Sequence, residues 1–356
     1  MSREWIDTRI LFGDPEAIEE GAQWIRKGEL VAFPTETVYG LGADGLNPAA
    51  VAEIFRVKGR PQDNPLILHI SEIAQVDALV REIPQAAYSL MESLWPGPLT
   101  LIFKKSDQVP DIVTAGGDTV AIRMPSHPTA RELIRRSGTP IAAPSANLSG
   151  KPSPTNAQDT YRDLKGRIPL VLDGGACEIG IESTVLDLTE SPATILRPGY
   201  FTQEMLGVYL EEVNLDQSIV KDGVIPRSPG QKYRHYAPKA EMTVFLGAPK
   251  SVQKKILMES ERLQALGKKV GFLLFEEDRE NMHLSTNAGQ VVFGQGSRKD
   301  LRTMAHRLFA SLRAMDFLGV DVILAEGAEE EGLGISIMNR MKKSASGHVV
   351  WVEERG

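Results

Sequence analysis

Short apolar runs bounded by glycine, proline and small polar residues restrict the possible fold more than any other feature of the sequence. Residues 1–200 contain eight runs that read as strands, with fewer helices between them. Several runs are too close together for a crossover helix, so the sheet cannot be purely parallel. We therefore predict an α/β fold with an open, twisted, mixed sheet. The predicted strands are Glu29–Phe33, Pro65–Ile70, Leu99–Phe103, Thr119–Arg123, Pro140–Ala143, Leu170–Asp173, Thr184–Leu188 and Ala193–Leu196.

Helix boundaries are marked by capping residues. Asp14 can N-cap a helix whose first residue is Pro15, and Gly28 suits the position after its end. The same signals recur at Asn47, which precedes Pro48, and at Gly59. These signals predict helices from about 14 to 27 and from about 47 to 58, and a third helix is predicted at Pro128–Ser137.

The second part of the chain has a different pattern. Periodicity fades between Leu210 and Pro238, where proline and glycine accumulate as in a linker. Beyond it, four predicted strands alternate with helices at Pro249–Ala265 and Arg298–Leu318, which indicates a smaller, doubly wound, Rossmann-like parallel sheet. We predict a catalytic domain at 1–209, a linker at 210–239 and an accessory domain at 240–356. The four strands are Met242–Leu246, Lys269–Phe275, Gln290–Phe293 and Asp321–Ala325.

Composition restricts the setting and the partners. The chain has 356 residues, a net charge of −7 and one cysteine, Cys177, which cannot form an intramolecular disulfide. No run reaches the roughly 18 apolar residues of a membrane span. An acidic chain without a Lys/Arg tract is a poor candidate for tight nucleic-acid binding. We predict a cytoplasmic protein with no membrane association and no stable nucleic-acid complex.

Two segments could approach a small polar ligand. PTETVYGLG at 34–42 follows an apolar strand, and its hydroxyl groups and glycines suit a binding loop. A turn favours the same residues, so this pattern leaves both interpretations open. Lys58 and Arg60, with Asn64 close behind, could clamp a phosphate. Cations at a helix C-terminus are also favoured by the helix dipole alone.

Further candidates follow other strands. His69 and Arg123 lie at or near strand ends, where Arg123 could bind a carboxylate or form an ordinary ion pair. APSANLSG at 143–150 could wrap a nucleotide. It is not a Walker A motif, because Ser145 and Pro152 stand at required positions. The segment Ile225–Lys239 is basic in an otherwise acidic half, which could focus anions or merely be a solvated linker.

Motifs of several enzyme classes are missing from the sequence. H-E-x-x-H, C-x-x-C, G-x-S-x-G and H-R-D do not occur, which weakens metalloprotease, hydrolase and kinase interpretations. Residues 40–45 match the letters of G-x-G-x-x-G. A loop separates them from the preceding strand, however, so a dehydrogenase is not indicated.

Taken in order, these segments resemble the YrdC-like threonylcarbamoyl-AMP synthase family, in its long form with a C-terminal domain. The resemblance rests on PTETVYGLG, KGRP with NPL at 58–66, His69, AIRMP at 121–125 and APSANLSG, continued by ESTV at 182–185, LRPG at 196–199 and RHYAP at 234–238. It implies that L-threonine, bicarbonate or CO2, and ATP with Mg2+ give threonylcarbamoyl-AMP and pyrophosphate. A downstream threonylcarbamoyl transferase complex then modifies tRNA.

The resemblance also implies which residues form the site. It places Lys58 and Arg60 in catalysis, and the linker as a lid over the nucleotide. No protein ligand to a metal is expected. The implied threonine-binding residues are Thr37, His69, Arg123, Ala143 and Ser183. The implied ATP-binding residues are Lys58, Arg60, Asn64, Thr119, Ser145, Asn147, Ser153, Arg197 and Tyr236.

Two other functions compete with this interpretation. An RNA-binding module without catalysis would use the basic linker, but the acidic composition and the lack of interleaved aromatic residues argue against it. A related carbamoyl-transfer enzyme would use carbamoyl phosphate. Such proteins usually carry zinc-finger modules, which a single cysteine excludes.

Overall fold

The computed structural model describes residues 6–220, 235–279, 282 and 290–353. Within these residues the chain forms two compact units. The first contains 6–149 and 153–220, and the second contains 150–152 and the described residues from 235 onward.

The first unit contains the larger sheet. Its strands are β1 Arg9–Phe12, β2 Val31–Phe33, β3 Gly40–Asp44, β4 Ile67–His69, β5 Leu99–Lys104, β6 Thr119–Arg123, β7 Ile141–Ala142, β8 Leu170–Asp173, β9 Thr184–Asp187, β10 Ala193–Arg197 and β11 Val213–Leu215. Its helices are α1 Pro15–Arg26, α2 Pro48–Lys58, α3 Val76–Leu79, α4 Gln85–Leu94, α5 Asp111–Thr114, α6 Pro128–Ser137, α7 Ala157–Leu164, α8 Gln203–Leu206 and α9 Gln217–Val220, with a short 3₁₀ helix at Ile73–Gln75.

The strands of this sheet run in both directions. In the described part of the chain their order is β1-β8-β2-β3-β7-β4-β6-β5-β9-β10-β11. Pairs such as β4 with β6 are parallel, whereas β5 with β6 and β9 with β10 are antiparallel. The prediction of an open mixed sheet is therefore confirmed.

The predicted capping signals operate as expected. Oδ1 of Asp14 accepts hydrogen bonds from the backbone N–H groups of Glu16 and Ala17, and Asn47 caps α2 in the same way. Gly59 ends α2 with φ of +62°, in the left-handed region where glycine is favoured. Both helices therefore begin at the predicted capping residues, and α2 ends at the predicted glycine.

Three strands of the first sheet were not predicted, namely β1, β3 and β11. β3 has the sequence GLGAD, and glycine is disfavoured in strands. A Cβ on Gly42 would lie 2.8 Å from the Phe33 ring, so the glycine allows Phe33 on β2 to pack against β3. β11 lies inside the predicted linker, 210–239, and pairs with β10. The ordered sheet therefore extends further than the sequence suggested.

The predicted boundaries at 209 and 239 stay a prediction. The part of the linker at 221–234, including 225–234 of the basic stretch, lies outside the described residues.

Side chains of the central strands divide between two faces. Leu68, Leu101, Ile122 and Leu186 belong to the main core on one face. On the other face, α1 and α6 cover the end of the sheet near β2, in a core that includes Phe33. Further along this face, a separate apolar cluster consists of Ile67, Ile102, Ala121, Val185 and Leu196.

The second unit is a smaller α/β sheet. Its strands are β12 Glu241–Gly247, β13 Val270–Leu274, β14 Gln290–Gly294, β15 Val322–Glu326 and β16 Val349–Val352, and its helices are α10 Pro249–Ala265, α11 Glu276–Arg279, α12 Leu301–Phe317 and α13 Leu333–Ser344.

In the described residues the order is β14-β13-β15-β12-β16, and every pairing is parallel. The predicted parallel, doubly wound sheet is confirmed, although β16 and α13 were not predicted. Across the described residues of both units, no helix is long and apolar enough to span a membrane.

Candidate functional site

A row of side chains crosses five neighbouring strands on the same face of the sheet as α1 and α6, in the part of that face where the separate apolar cluster lies. Strand register aligns His69 with Arg123, Arg123 with Thr100, Thr100 with Val185, and Val185 with Arg197. Paired residues project to the same face, and adjacent strands lie about 4.8 Å apart. The row therefore places two arginines, a histidine and a threonine on one surface.

The apolar cluster forms the floor beside this row. Ile67, Ala121 and Ile102 lie two residues from His69, Arg123 and Thr100 respectively, so period-two alternation puts all six on one face. Thr119, at the start of β6, shares this face. The row thus lies on one face of the sheet, and His69, Arg123 and Arg197 are the last residues of β4, β6 and β10, which agrees with the expected position at strand ends.

The loop from 34 to 39, which joins β2 to β3, is fastened to two other loops by backbone hydrogen bonds. The N–H groups of Ile179 and Gly180 donate to the carbonyls of Glu36 and Thr37, at 2.8 and 3.1 Å. The Tyr39 N–H donates to Pro154 O at 2.9 Å. These bonds hold all three loops in fixed positions, and a preorganised site needs such rigidity.

Arg123 is buried, with 4% of its surface exposed. Its Nη1 donates to Thr37 Oγ1 at 2.9 Å, and its Nε donates to Gly97 O at 3.3 Å. Its Nη2 lies 2.7 Å from Glu36 Oε1, an ion pair in which both side chains are 5% exposed. The structure thus brings together two of the predicted threonine-binding residues, Arg123 and Thr37.

Ser183 and Arg197 form a second group on the same face. Arg197 donates from Nε to the Ser183 carbonyl at 3.0 Å and from Nη2 to Ser183 Oγ at 2.9 Å. Ser183 Oγ lies 2.7 Å from Thr100 Oγ1. Because Thr100 is aligned with Arg123, the two groups are adjacent.

Lys58 joins the C-terminus of α2 to the loop after β7. Its Nζ is buried and donates to the carbonyls of Ser145 and Asn147. Ser145 Oγ in turn donates to Asn147 Oδ1 at 2.5 Å. Ala143, at the start of this loop, donates its N–H to Ile67 O at 3.0 Å. The predicted lysine and the serine–asparagine pair therefore form one connected group.

The remaining predicted residues lie in separate places. Arg60 donates to the carbonyls of Asn64 and Pro65, which fixes it over the turn after α2. Ser153 Oγ donates to Glu182 Oε1 at 2.6 Å. Tyr236 belongs to the second unit, where its ring packs on Phe309 at a centroid distance of 5.1 Å. Its predicted part in nucleotide binding stays a prediction.

Burial, assisted by the charge of Arg123, lowers the pKa of His69 from 6.5 to about 3. His69 is therefore uncharged near neutral pH in the folded protein.

The lowered pKa of His69 predicts a pH-dependent stability. Because the unfolded chain binds a proton more readily, the free energy of unfolding should fall by about 1.4 kcal/mol per pH unit as pH drops from about 6.5 towards 3. The variant His69→Gln should lose this contribution. Urea unfolding of both proteins at several pH values gives the free energy of unfolding as a function of pH. The same dependence on pH in both proteins would contradict the lowered pKa of His69.

Other reactive groups offer little chemistry here. Cys177 is buried, and burial raises the pKa of its thiol well above the ordinary value, which disfavours the reactive thiolate. Among the described residues, no group of three or more His, Cys, Asp or Glu side chains is arranged to hold a metal ion. Hydrogen-bond donors and cations dominate the site.

Three residues that contact the predicted site residues were not themselves predicted as site residues from the sequence. Glu36 lies inside PTETVYGLG, Thr100 interrupts an apolar strand, and Glu182 begins ESTV. A polar residue in the buried run LTLIF was a usable signal for Thr100. The contacts of Glu36 depend on long-range register, which the sequence does not show.

Comparison with known proteins adds to this geometry. Residues 23–199 match the family described as telomere recombination, and 201–346 match the threonylcarbamoyl-AMP synthase C-terminal domain. The chain is 46% identical to a threonylcarbamoyl-AMP synthase of Pyrococcus abyssi (strain GE5 / Orsay), over 96% of this chain and 99% of that protein. Its identity to a synthase of the same name from Bacillus subtilis (strain 168) is also 46%, over 95% of both.

A solved structure agrees with these matches. The crystal structure of P. abyssi Sua5 complexed with L-threonine superposes with a TM-score of 0.89 at 45% identity, covering 98% of this chain and 99% of that one. Similarity of this extent covers both units. The chain therefore belongs to the threonylcarbamoyl-AMP synthase family.

Proposed function

We propose that this protein is a nucleotidyltransferase that converts L-threonine, bicarbonate or CO2, and ATP into L-threonylcarbamoyl-AMP and pyrophosphate. The observation that carries the proposal is the row of buried polar groups that includes Arg123 and Arg197. Relatives that match this chain over nearly its full length are named threonylcarbamoyl-AMP synthase. An amino acid and a nucleotide both bring anionic groups, which a surface with two arginines suits.

The proposed reaction has two bond-forming steps. The threonine amine attacks the carbon of CO2 and loses a proton, which gives a carbamate. A carbamate oxygen then attacks the α-phosphorus of ATP, and the bond from that phosphorus to the bridging oxygen breaks, so pyrophosphate leaves. Negative charge grows on the phosphoryl oxygens in this second step, and preorganised cations stabilise it.

The roles that we propose for individual side chains are those that the family resemblance implies. Arg123, next to Thr37, holds the threonine carboxylate, while His69, Ala143 and Ser183 line the rest of the threonine subsite. The charge on the phosphates is met by Lys58, Arg60 and Arg197. Asn64, Thr119, Ser145, Asn147, Ser153 and Tyr236 complete the proposed ATP subsite. Positioning two small reactants against ATP is the main catalytic task.

Magnesium enters this proposal as part of the substrate. Mg2+ keeps several waters and is commonly bound through substrate phosphates, so it requires no cage of protein ligands. We therefore treat MgATP as the substrate, with the cations named above binding the phosphates.

The chemistry of the product suggests how it is used. Threonylcarbamoyl-AMP is a labile mixed anhydride that a transferase complex must consume, and we propose transfer to tRNA as its use. The cytoplasm, where cysteines are kept reduced, suits a chain with one cysteine. The linker as a lid over the nucleotide stays a prediction. RNA binding without catalysis is not favoured, because the relatives are named as synthases over their full length.

Pyrophosphate release from MgATP tests the function. With the purified full-length protein, release should require both L-threonine and bicarbonate, and mass spectrometry should detect threonylcarbamoyl-AMP. L-Valine, which replaces the hydroxyl group by a methyl group, serves as the control amino acid. Release that is independent of threonine, without that product, would contradict the proposal. A gel shift with tRNA in the absence of such release would instead favour RNA binding.

A further inference from the structure

Glu36 is a buried carboxylate whose surroundings do not satisfy it. Its residue is 4% exposed, and within the described part of the chain neither side-chain oxygen accepts a hydrogen bond. Its close contact is the ion pair with Arg123 Nη2, at 2.7 Å but outside hydrogen-bond geometry. Buried polar groups are nearly always hydrogen-bonded, so an exception of this kind requires an explanation.

Stability does not provide that explanation. A buried ion pair contributes little net stability, because desolvation of both charges offsets their attraction. Glu182, another buried carboxylate of this unit, differs from Glu36 because it accepts a hydrogen bond from Ser153 Oγ at 2.6 Å. The Glu36 carbonyl accepts the Ile179 N–H at 2.8 Å, which fixes the backbone of Glu36. The loop is thus held with an unsatisfied carboxylate beside Arg123.

An α-amino acid has the complementary charges. Its carboxylate and its ammonium group are attached to the same carbon atom, so binding one places the other within a few ångströms. A threonine carboxylate on Arg123 would leave the ammonium group near the Arg123 guanidinium and close to the adjacent group that contains Arg197, and both cations repel it. Glu36 is the carboxylate in contact with Arg123, and it lies where an ammonium group needs an acceptor.

We propose that Glu36 binds the α-ammonium group of L-threonine, so that the Arg123–Glu36 pair recognises the zwitterion at both ends. This inference rests on the proposed function and adds a residue to its threonine subsite. The substrate class is then restricted to α-amino acids, because a 2-hydroxy acid offers no positive charge. Its hydroxyl group would leave the buried carboxylate without a charged partner.

The first test needs only the unaltered protein with ATP present. Calorimetric titration compares L-threonine with (2S,3R)-2,3-dihydroxybutanoate, in which a hydroxyl replaces the ammonium group. We expect threonine to bind about 100-fold more tightly, since a charge-assisted contact to a buried carboxylate is lost in the analogue. Equal binding of the two compounds would overturn the inference while leaving the function intact. Binding of neither would overturn both.

The second test uses Glu36→Gln, which keeps the size of the side chain and removes its charge. The preference for threonine over the hydroxy analogue should fall at least about tenfold, because the contact becomes neutral. Affinity for ATP alone should stay unchanged and also reports that the variant folds. A merely structural role for Glu36 would weaken both ligands alike and preserve their ratio, which would overturn the inference.

A matched control is available in the same unit. Asp159 is also a buried acid paired with an arginine, Arg162, at 2.8 Å, but it lies on α7 and not in the proposed site. Asp159→Asn should keep the full preference for threonine. The same loss of preference in Asp159→Asn and Glu36→Gln would show that the effect is non-specific and would overturn the inference.

Discussion

Replacing Lys58 by alanine is expected to lower threonine-dependent pyrophosphate release by about 10²- to 10³-fold, the effect of removing a preorganised charge-stabilising donor. The lysine ammonium is buried, and it is held against the loop carbonyls of Ser145 and Asn147. A cation fixed in this way needs no reorganisation when negative charge grows on the phosphates. Initial rates of pyrophosphate release at saturating ATP and threonine measure the effect.

Loss of the same contacts could also loosen the loop, so the experiment needs a matched control. Lys105 is another largely buried lysine of the first unit, and its Nζ donates to Val109 O at 3.4 Å. Lys105→Ala should retain near-normal rates, and both variants should unfold at similar temperatures. Unchanged release in Lys58→Ala would remove Lys58 from the proposed mechanism.

Replacing Arg123 by methionine is expected to destabilise the first unit and abolish threonine binding together. The variant leaves the carboxylate of Glu36 buried without its partner, and breaking a buried pair costs about 3–5 kcal/mol. Threonine loses the group proposed to hold its carboxylate. Urea unfolding gives the change in the free energy of unfolding, and calorimetry with ATP present gives threonine affinity.

A double variant separates the two effects. Adding Glu36→Gln to Arg123→Met removes the unpaired charge and should restore most of the stability. Threonine binding should stay lost, because both ends of the proposed zwitterion site are gone. A stable Arg123→Met variant that still binds threonine would show that the pair has neither role.

Local signals in the sequence predicted much of the fold. Pro15 and Pro48 mark helix starts because they are preceded by side chains that cap the N-terminus, and Gly59 marks a stop because it adopts positive φ. The same reasoning failed for β3, whose glycines are explained by the packing of Phe33 rather than by strand propensity. β1 and β16 are short and only partly buried, so their patterns are weak.

The site was less predictable than the fold. The candidate motifs follow from their residue types and from the family resemblance, but their grouping depends on strand register. Nothing local to β4, β5 or β6 shows that His69, Arg123 and Thr100 are aligned in one row. Placement on a face of the sheet follows from that alignment. The partners of Lys58 lie 87 and 89 residues further along the chain, beyond the range of any local pattern.

The position of β8 between β1 and β2 affects how the protein is made. Arg9 is paired with Leu170, so the first strand to leave the ribosome has no partner until the chain has grown by some 160 residues. At bacterial and eukaryotic synthesis rates of about 5–20 residues per second, that delay is roughly ten to thirty seconds. During this interval β2 presents an open edge to other nascent chains. Molecular chaperones that bind early in translation should therefore increase the yield of this protein.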